Sequence, residues 1–195
     1  MNALIAFIKL GRPIFLGGGF VLYALGAAIA HASGHPIDVG RYVFGQAAVT
    51  AFQLMTHYAN DYFDFEADIA NHTPTKWSGG SRVLPNGLLP RRVALVAALG
   101  FAALGIALTA ELDTRGVGSW TVPTFVLVLV LAWEYSAPPL RLCARGLGEL
   151  ATALVVTVLV PWLGFYLQAP SMHGARMLAL TIVPPALLQF AMLIA

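Results

Sequence analysis

Apolar residues fall along this chain in six long runs, residues 14–30, 42–59, 93–110, 120–133, 150–167 and 177–195, separated by short polar connections. None of the six contains Asp, Glu, Lys or Arg. Most approach the ~20 residues that a helix needs to cross ~30 Å of hydrocarbon, and the shorter fourth run is extended by interfacial Trp120, Trp133 and Tyr135. The pattern predicts an all-α fold, a polytopic transmembrane helical bundle of about six helices, forming a single domain over residues 1–195.

The second run differs from the others because it carries polar residues in register. Gln46, Thr50, Gln53 and His57 advance by four, three and four, which keeps them on one helical face. In lipid such a stripe faces a bundle interior or a wet cavity. Interhelical hydrogen bonding accounts for Gln46, Thr50 and Gln53, whereas His57 reads equally as a site residue or a structural histidine. The stripe runs into Asn60-Asp61-Tyr62-Phe63-Asp64-Phe65-Glu66-Ala67-Asp68, which holds four of the nine acidic residues. Asp61, Asp64 and Asp68 stand at i, i+3 and i+7, and Asn60 reaches their face through Asp64. Three carboxylates on one face repel unless a cation sits among them, and Mg²⁺ takes one or two carboxylates together with waters and substrate phosphates. Glu66 is off that face and reads as solvated.

Between the runs the chain supplies basic and flexible connections. Residues 1–10 read as a mildly amphipathic interfacial segment, closed by Gly11-Arg12-Pro13. Arg12 fits a membrane anchor or a ligand contact. Gly17, Gly18, Gly19 and Gly26 would let another helix approach closely. Residues 71–89 form the longest non-apolar connection, where Lys76, Ser78, Gly79, Gly80, Ser81 and Arg82 combine cations with backbone N–H groups open to phosphate oxygens. Pro138 and Pro139 end the fourth run in a turn that carries Arg141 and Arg145. Pro184 and Pro185 are expected to kink the last.

Composition agrees with the pattern: 58% of residues are hydrophobic, only 10% are charged and the mean hydropathy is +0.77. This is the balance of an integral, multi-pass membrane protein. The net charge of +2 gives no basis for a nucleic-acid partner. Of the eleven Lys and Arg residues, eight fall on one side of the six runs and three, Arg41, Arg115 and Arg176, on the other. The richer side is expected to be cytoplasmic, in a bacterial inner membrane, which places the N-terminus and the acidic motif there. The first run reads as a retained span rather than a cleaved signal. Cys143 is the only cysteine, so no internal disulfide forms.

Asn60-Asp61-x-x-Asp64-x-x-x-Asp68 at the end of a second apolar helix resembles the first aspartate-rich motif of the UbiA-type intramembrane prenyltransferases. Gly11-Arg12-Pro13, Ser81-Arg82, Tyr135-Ser136-Ala137-Pro138-Pro139-Leu140-Arg141 and Gly146-x-Gly148-Glu149 extend the resemblance over essentially the whole chain. Trp77 to Leu84 looks most like the branch of 1,4-dihydroxy-2-naphthoate prenyltransferases of menaquinone synthesis. The resemblance implies Mg²⁺-dependent transfer of an isoprenyl chain from a prenyl diphosphate to an aromatic or quinone-precursor acceptor within the lipid membrane. It implies Asp61, Asp64 and Asp68 as metal ligands, with Asn60 beside them. Arg12, Lys76, Arg82 and Arg141 become contacts for the diphosphate, and Tyr135 an aromatic face for the allylic cation. The family fold has nine helices and a second aspartate-rich motif, so these residues are expected to form its N-terminal two-thirds, inactive alone for want of that motif. A small cation-binding transporter and a noncatalytic membrane subunit are the other readings.

Overall fold

The computed structural model describes residues 2–75 and 79–194, with side chains through residue 191. The described residues fold into eight helices and no strands: α1 (Ala3–Leu10), α2 (Pro13–Ala32), α3 (Val39–Phe63), α4 (Phe65–Ala70), α5 (Arg91–Thr114), α6 (Thr121–Glu134), α7 (Gly148–Tyr166) and α8 (Ala175–Ile194). Each of the six apolar runs forms a helix over most of its described residues. Local chemistry sets their starts: Pro13 opens α2 at a position whose N–H has no intrahelical partner, and the Asp38 side chain accepts the Arg41 N–H at 2.9 Å to cap α3. Helix α7 widens into a π-type turn over Leu154–Leu159, just before Pro161, whose missing N–H cannot hold the ordinary ladder.

Three helices, α2, α5 and α7, are long and apolar enough to cross a membrane. Helix α3 spans 25 residues, but its polar stripe keeps it out of that set. It is instead the axis of the bundle, packing along α5 and also touching α2 and α6. Phe52, Met55, Tyr58 and Phe125 are buried around it.

Close approach between α2 and α7 is written in two glycines. A Cβ at Gly26 would lie 1.9 Å from the Pro161 carbonyl oxygen, and one at Gly164 would lie 2.0 Å from that of Tyr23. Any side chain at either position must push the helices apart, so the usual gain of ~1 kcal/mol for alanine over glycine in a helix is reversed. Gly19 is used in the same way, against Gln53, whereas Gly17 and Gly18 have nothing within 4 Å. The expectation of close packing at all three neighbours therefore holds for one.

The polar stripe also differs from its expected role. Gln46 donates to the Thr50 hydroxyl at 3.1 Å, and Thr50 donates back to the Gln46 carbonyl at 2.8 Å, both within α3. The side-chain oxygens of Gln46 and Gln53 are buried without a partner among the described residues. Among the described residues neither glutamine makes an interhelical bond, and Gln53 packs instead against Gly19 of α2.

Candidate functional site

The acidic motif sits where α3 ends. The helix breaks at Asp64 and resumes as α4, yet the Asp64 N–H still bonds the Asn60 carbonyl at 2.9 Å and the Asp68 N–H the Asp64 carbonyl at 2.8 Å. The i, i+4 register survives the bend, so the aspartates keep their common side.

Asp61 is only 1% exposed, and two other segments of chain converge on it. Arg12, from the α1–α2 junction, donates Nη2 to Asp61 Oδ1 in a short contact and to Asn60 Oδ1 at 3.0 Å. From the loop before α5, Ser81 gives its backbone N–H to Asp61 Oδ2 at 3.2 Å and its hydroxyl to the same oxygen. Asn60 then donates to Asp64 Oδ2 at 2.5 Å and to Ser136 Oγ at 2.7 Å, while Ser136 donates to the same Asp64 oxygen at 3.1 Å. Ser136 comes from the turn after α6. Asp68 meets the backbone of Gly80: a Cβ there would fall 2.0 Å from Asp68 Oδ2, and the left-handed φ of +72° also demands glycine.

Burial raises the Asp68 carboxyl to about 6, with the Asp61 charge adding to the effect. Asp64 is also raised, chiefly by burial, although Ser136 and the charges of Arg141 and Arg12 act against the shift. These are crowded carboxylates that resist full ionisation, the condition that a divalent cation relieves.

Four non-glycine residues among those described have a left-handed backbone, and three of them are Arg12, Arg82 and Arg141. That conformation costs ~1–2 kcal/mol per residue, so it persists only where the surroundings enforce it. Each arginine begins or ends a turn beside the acidic motif. Arg12 is bound into it. Arg82 donates Nη1 to the Asp68 carbonyl and, at 3.4 Å, to the Asn71 carbonyl, which fastens the Gly80 loop over α4. Arg141 is exposed, and its charge acts on Asp64. The Arg12 Nε is buried with no partner among the described residues, which leaves one donor to spare.

Of the other candidates, Tyr135 is half-buried, one residue before Ser136. Lys76 lies outside the described residues. His57 bonds the Gly11 carbonyl at 2.7 Å through Nδ1, and the Tyr58 hydroxyl donates to the Phe7 carbonyl at 2.9 Å. The histidine thus clamps the turn that carries Arg12, a structural role one step from the site. Glu66 is exposed as expected and pairs with Arg91 at 3.3 Å.

No three carboxylate, imidazole or thiol groups among the described residues are gathered closely enough to hold a metal ion by themselves. Asp61, Asp64 and Asp68 therefore do not make a complete cage, because Arg12 and Ser81 hold Asp61 while Asn60 and Ser136 hold Asp64. The donor set is nonetheless all oxygen, with raised carboxyls beside a spare guanidinium donor. It fits a hard cation that arrives with phosphate oxygens completing its coordination.

Sequence reasoning selected Tyr135 and passed over its neighbour Ser136, the residue that ties the Pro-Pro turn to the motif. The available signal was a hydroxyl at the end of an apolar run. Ser81 was noticed only as part of a loop.

The described residues thus form an all-helical bundle with carboxylates and guanidinium groups gathered at the end of a polar-striped helix. The UbiA prenyltransferase family model matches residues 20–195, and the chain belongs to that family. It is 30% identical over 152 residues to a digeranylgeranylglyceryl phosphate synthase from Pyrococcus abyssi (strain GE5 / Orsay), an alignment covering 77% of this chain and 48% of the relative. Its fold is similar to that of a UbiA homologue from Archaeoglobus fulgidus. The structure bound to DMAPP and Mg²⁺ gives a TM-score of 0.63 at 19% identity, covering 84% of this chain and 54% of that one. The structure bound to GPP and Mg²⁺ gives 0.60 at 17%, covering 87% and 54%. The chain thus spans about half the length of these relatives.

Proposed function

We propose that the end of α3 binds the diphosphate of an isoprenyl diphosphate together with Mg²⁺, and that this is the donor site of an intramembrane prenyl transfer. The observation that carries the reading is the convergence of three left-handed arginines on three aspartates. When bound, Mg²⁺ neutralises charge that builds on the departing diphosphate. The chain's own residues do the rest. Asp64 and Asp68 present carboxylate oxygens to the cation, while Asn60 and Ser136 fix the Asp64 rotamer. Asp61 and Ser81 hold Arg12 so that its spare Nε–H can meet a phosphate oxygen. Arg141 and Lys76 add charge to the same anion, and Arg82 braces the loop above it. Tyr135 offers a ring face near the allylic carbon, and the apolar bundle keeps water from it.

The acceptor in this reading is an aromatic quinone precursor, supported by the resemblance of Trp77 to Leu84 to the dihydroxynaphthoate branch. A second acceptor class has its own support: the curated relative is named for a glyceryl phosphate product. We place the site on the cytoplasmic face of a bacterial inner membrane, on the strength of the basic-residue asymmetry.

Titration of the purified chain in detergent with a nonhydrolysable prenyl thiolodiphosphate tests the site. Binding is expected to require Mg²⁺ and to weaken about a hundredfold in Asp64→Asn, within the range seen when a preorganised charge contact is removed. Equal binding in EDTA, with Asp64→Asn unaffected, would overturn the reading. Supplying aromatic and glyceryl phosphate acceptors in parallel separates the two acceptor classes.

A further inference from the structure

The end of the bundle remote from the aspartates carries three arginines, and they are not alike. Arg41 pairs with Asp38 at 3.7 Å, and Arg115 pairs with Glu111 at 2.7 Å while its guanidinium stacks 4.4 Å from the Phe44 ring centroid. Arg176, in the first turn of α8, is exposed and has no carboxylate partner among the described residues. It lines an open cleft of about 520 Å³ between the end of α2 and the start of α8, together with His173, Ser33, Met177 and Leu180. No acidic side chain lines this cleft. The N-terminal, positive end of the 20-residue α8 opens beside it.

Below the cationic mouth the surface changes character. Met177, Leu180, Val183 and Leu187 recur every three or four residues and are 43%, 68%, 48% and 64% exposed. They form a continuous apolar stripe leading away from Arg176. A soluble anion would use the mouth and leave the stripe bare. A ligand with an anionic head and a hydrocarbon tail matches both.

We propose that this cleft binds an anionic phospholipid, with its phosphate against Arg176 and His173 and an acyl chain along Met177, Leu180, Val183 and Leu187. Helix α2 separates the cleft from Arg12 by 20 residues, ~30 Å of helix rise. The lipid therefore belongs to the membrane leaflet opposite the aspartate site, and its binding is independent of prenyl diphosphate.

The test uses the full chain in a neutral detergent, delipidated and titrated with phosphatidylglycerol or phosphatidylcholine while thermal unfolding and native mass are followed. Phosphatidylglycerol is expected to bind and raise the unfolding temperature, and phosphatidylcholine to do so weakly. Arg176→Gln should weaken phosphatidylglycerol binding about fivefold, the worth of one cation at an anionic headgroup. Arg115→Gln, which removes a cation already paired, should leave it unchanged. Arg176 is exposed, so its replacement does not endanger the fold. Equal binding of the two lipids would overturn the proposal, as would equal loss in the two variants. An equal shift from inorganic phosphate alone would assign the mouth to a free anion, and stabilisation that rises with protein concentration without lipid would assign the cleft to a second copy. Either result also refutes a lipid site.

Discussion

The two ends of the bundle put arginine to opposite uses. At one end Arg12 adopts a left-handed backbone, is mostly buried and shares Asp61 with a serine from a distant loop. At the other, Arg41 and Arg115 sit in ordinary helix termini and pair with carboxylates three or four residues away. The second arrangement costs little and contributes little, since exposed pairs of this kind are worth at most ~1 kcal/mol. The first is expensive in backbone strain and desolvation, and it persists because α3 and the Ser81 loop close on it at once. Where a chain concentrates such costs, ligand chemistry is the first explanation to test.

The sharpest way to break the contrast is to remove one member of the buried pair. Asp61→Asn leaves Arg12 charged among groups that no longer balance it, and breaking a buried pair costs ~3–5 kcal/mol. The variant is expected to unfold at markedly lower temperature and to lose Mg²⁺-dependent prenyl thiolodiphosphate binding. Adding Arg12→Gln should recover much of the stability and none of the binding. If the double variant also recovers binding, the pair is structural and the site lies elsewhere.

A smaller loss is expected at Gly80. Alanine there meets Asp68 Oδ2 and must hold a φ of +72°, a combination that costs ~1–3 kcal/mol of local strain. Because the Arg82 contacts to Asp68 and Asn71 fasten the loop locally, the strain should appear mainly as displacement of Asp68. Diphosphate affinity is expected to fall more than global stability, as chemical denaturation and ligand titration on one preparation would reveal. A stability loss with unchanged affinity would separate Asp68 from the ligand.

Much of the architecture is legible in the amino-acid sequence. Six apolar runs became six helices because hydrocarbon length and the lack of charge leave a chain few alternatives, and the register of Asp61, Asp64 and Asp68 survived even the break at Asp64. What pattern reading missed depends on contacts between segments far apart in sequence. Periodicity says nothing about whether Gln53 meets a donor or a glycine. It cannot show that Arg82 grips backbone carbonyls, or that Ser136 reaches back 76 residues to Asn60. The left-handed arginines were equally invisible, since nothing in an arginine's local preference suggests positive φ; only the completed site imposes it.

Ser136 gives a more delicate probe. Its hydroxyl serves both Asn60 and Asp64, and alanine would remove those bonds while leaving Asn60 and Asp64 bonded to each other. The net worth of such a hydrogen bond is ~1 kcal/mol. Ser136→Ala should therefore weaken Mg²⁺-dependent binding about fivefold while Ser136→Thr, which keeps the hydroxyl, restores most of it. Equal losses in the two variants would mean that volume in the turn, rather than orientation of Asp64, sets the effect.

The smallest effect is expected at the far end, where its smallness is the point. Arg115 and Glu111 are 41% and 44% exposed, so water already solvates both charges and the Coulomb gain is largely offset by the cost of fixing two long side chains. Arg115→Gln is expected to change stability by less than ~0.5 kcal/mol and to leave diphosphate titrations unmoved. The residue does cover Phe44, and glutamine covers less of that ring. A loss nearer ~1–2 kcal/mol would therefore report a cation–π contact made strong by exclusion from water. In that case the far end would also depend on a desolvated arginine, and the contrast between the two ends would rest on backbone strain rather than on burial of charge.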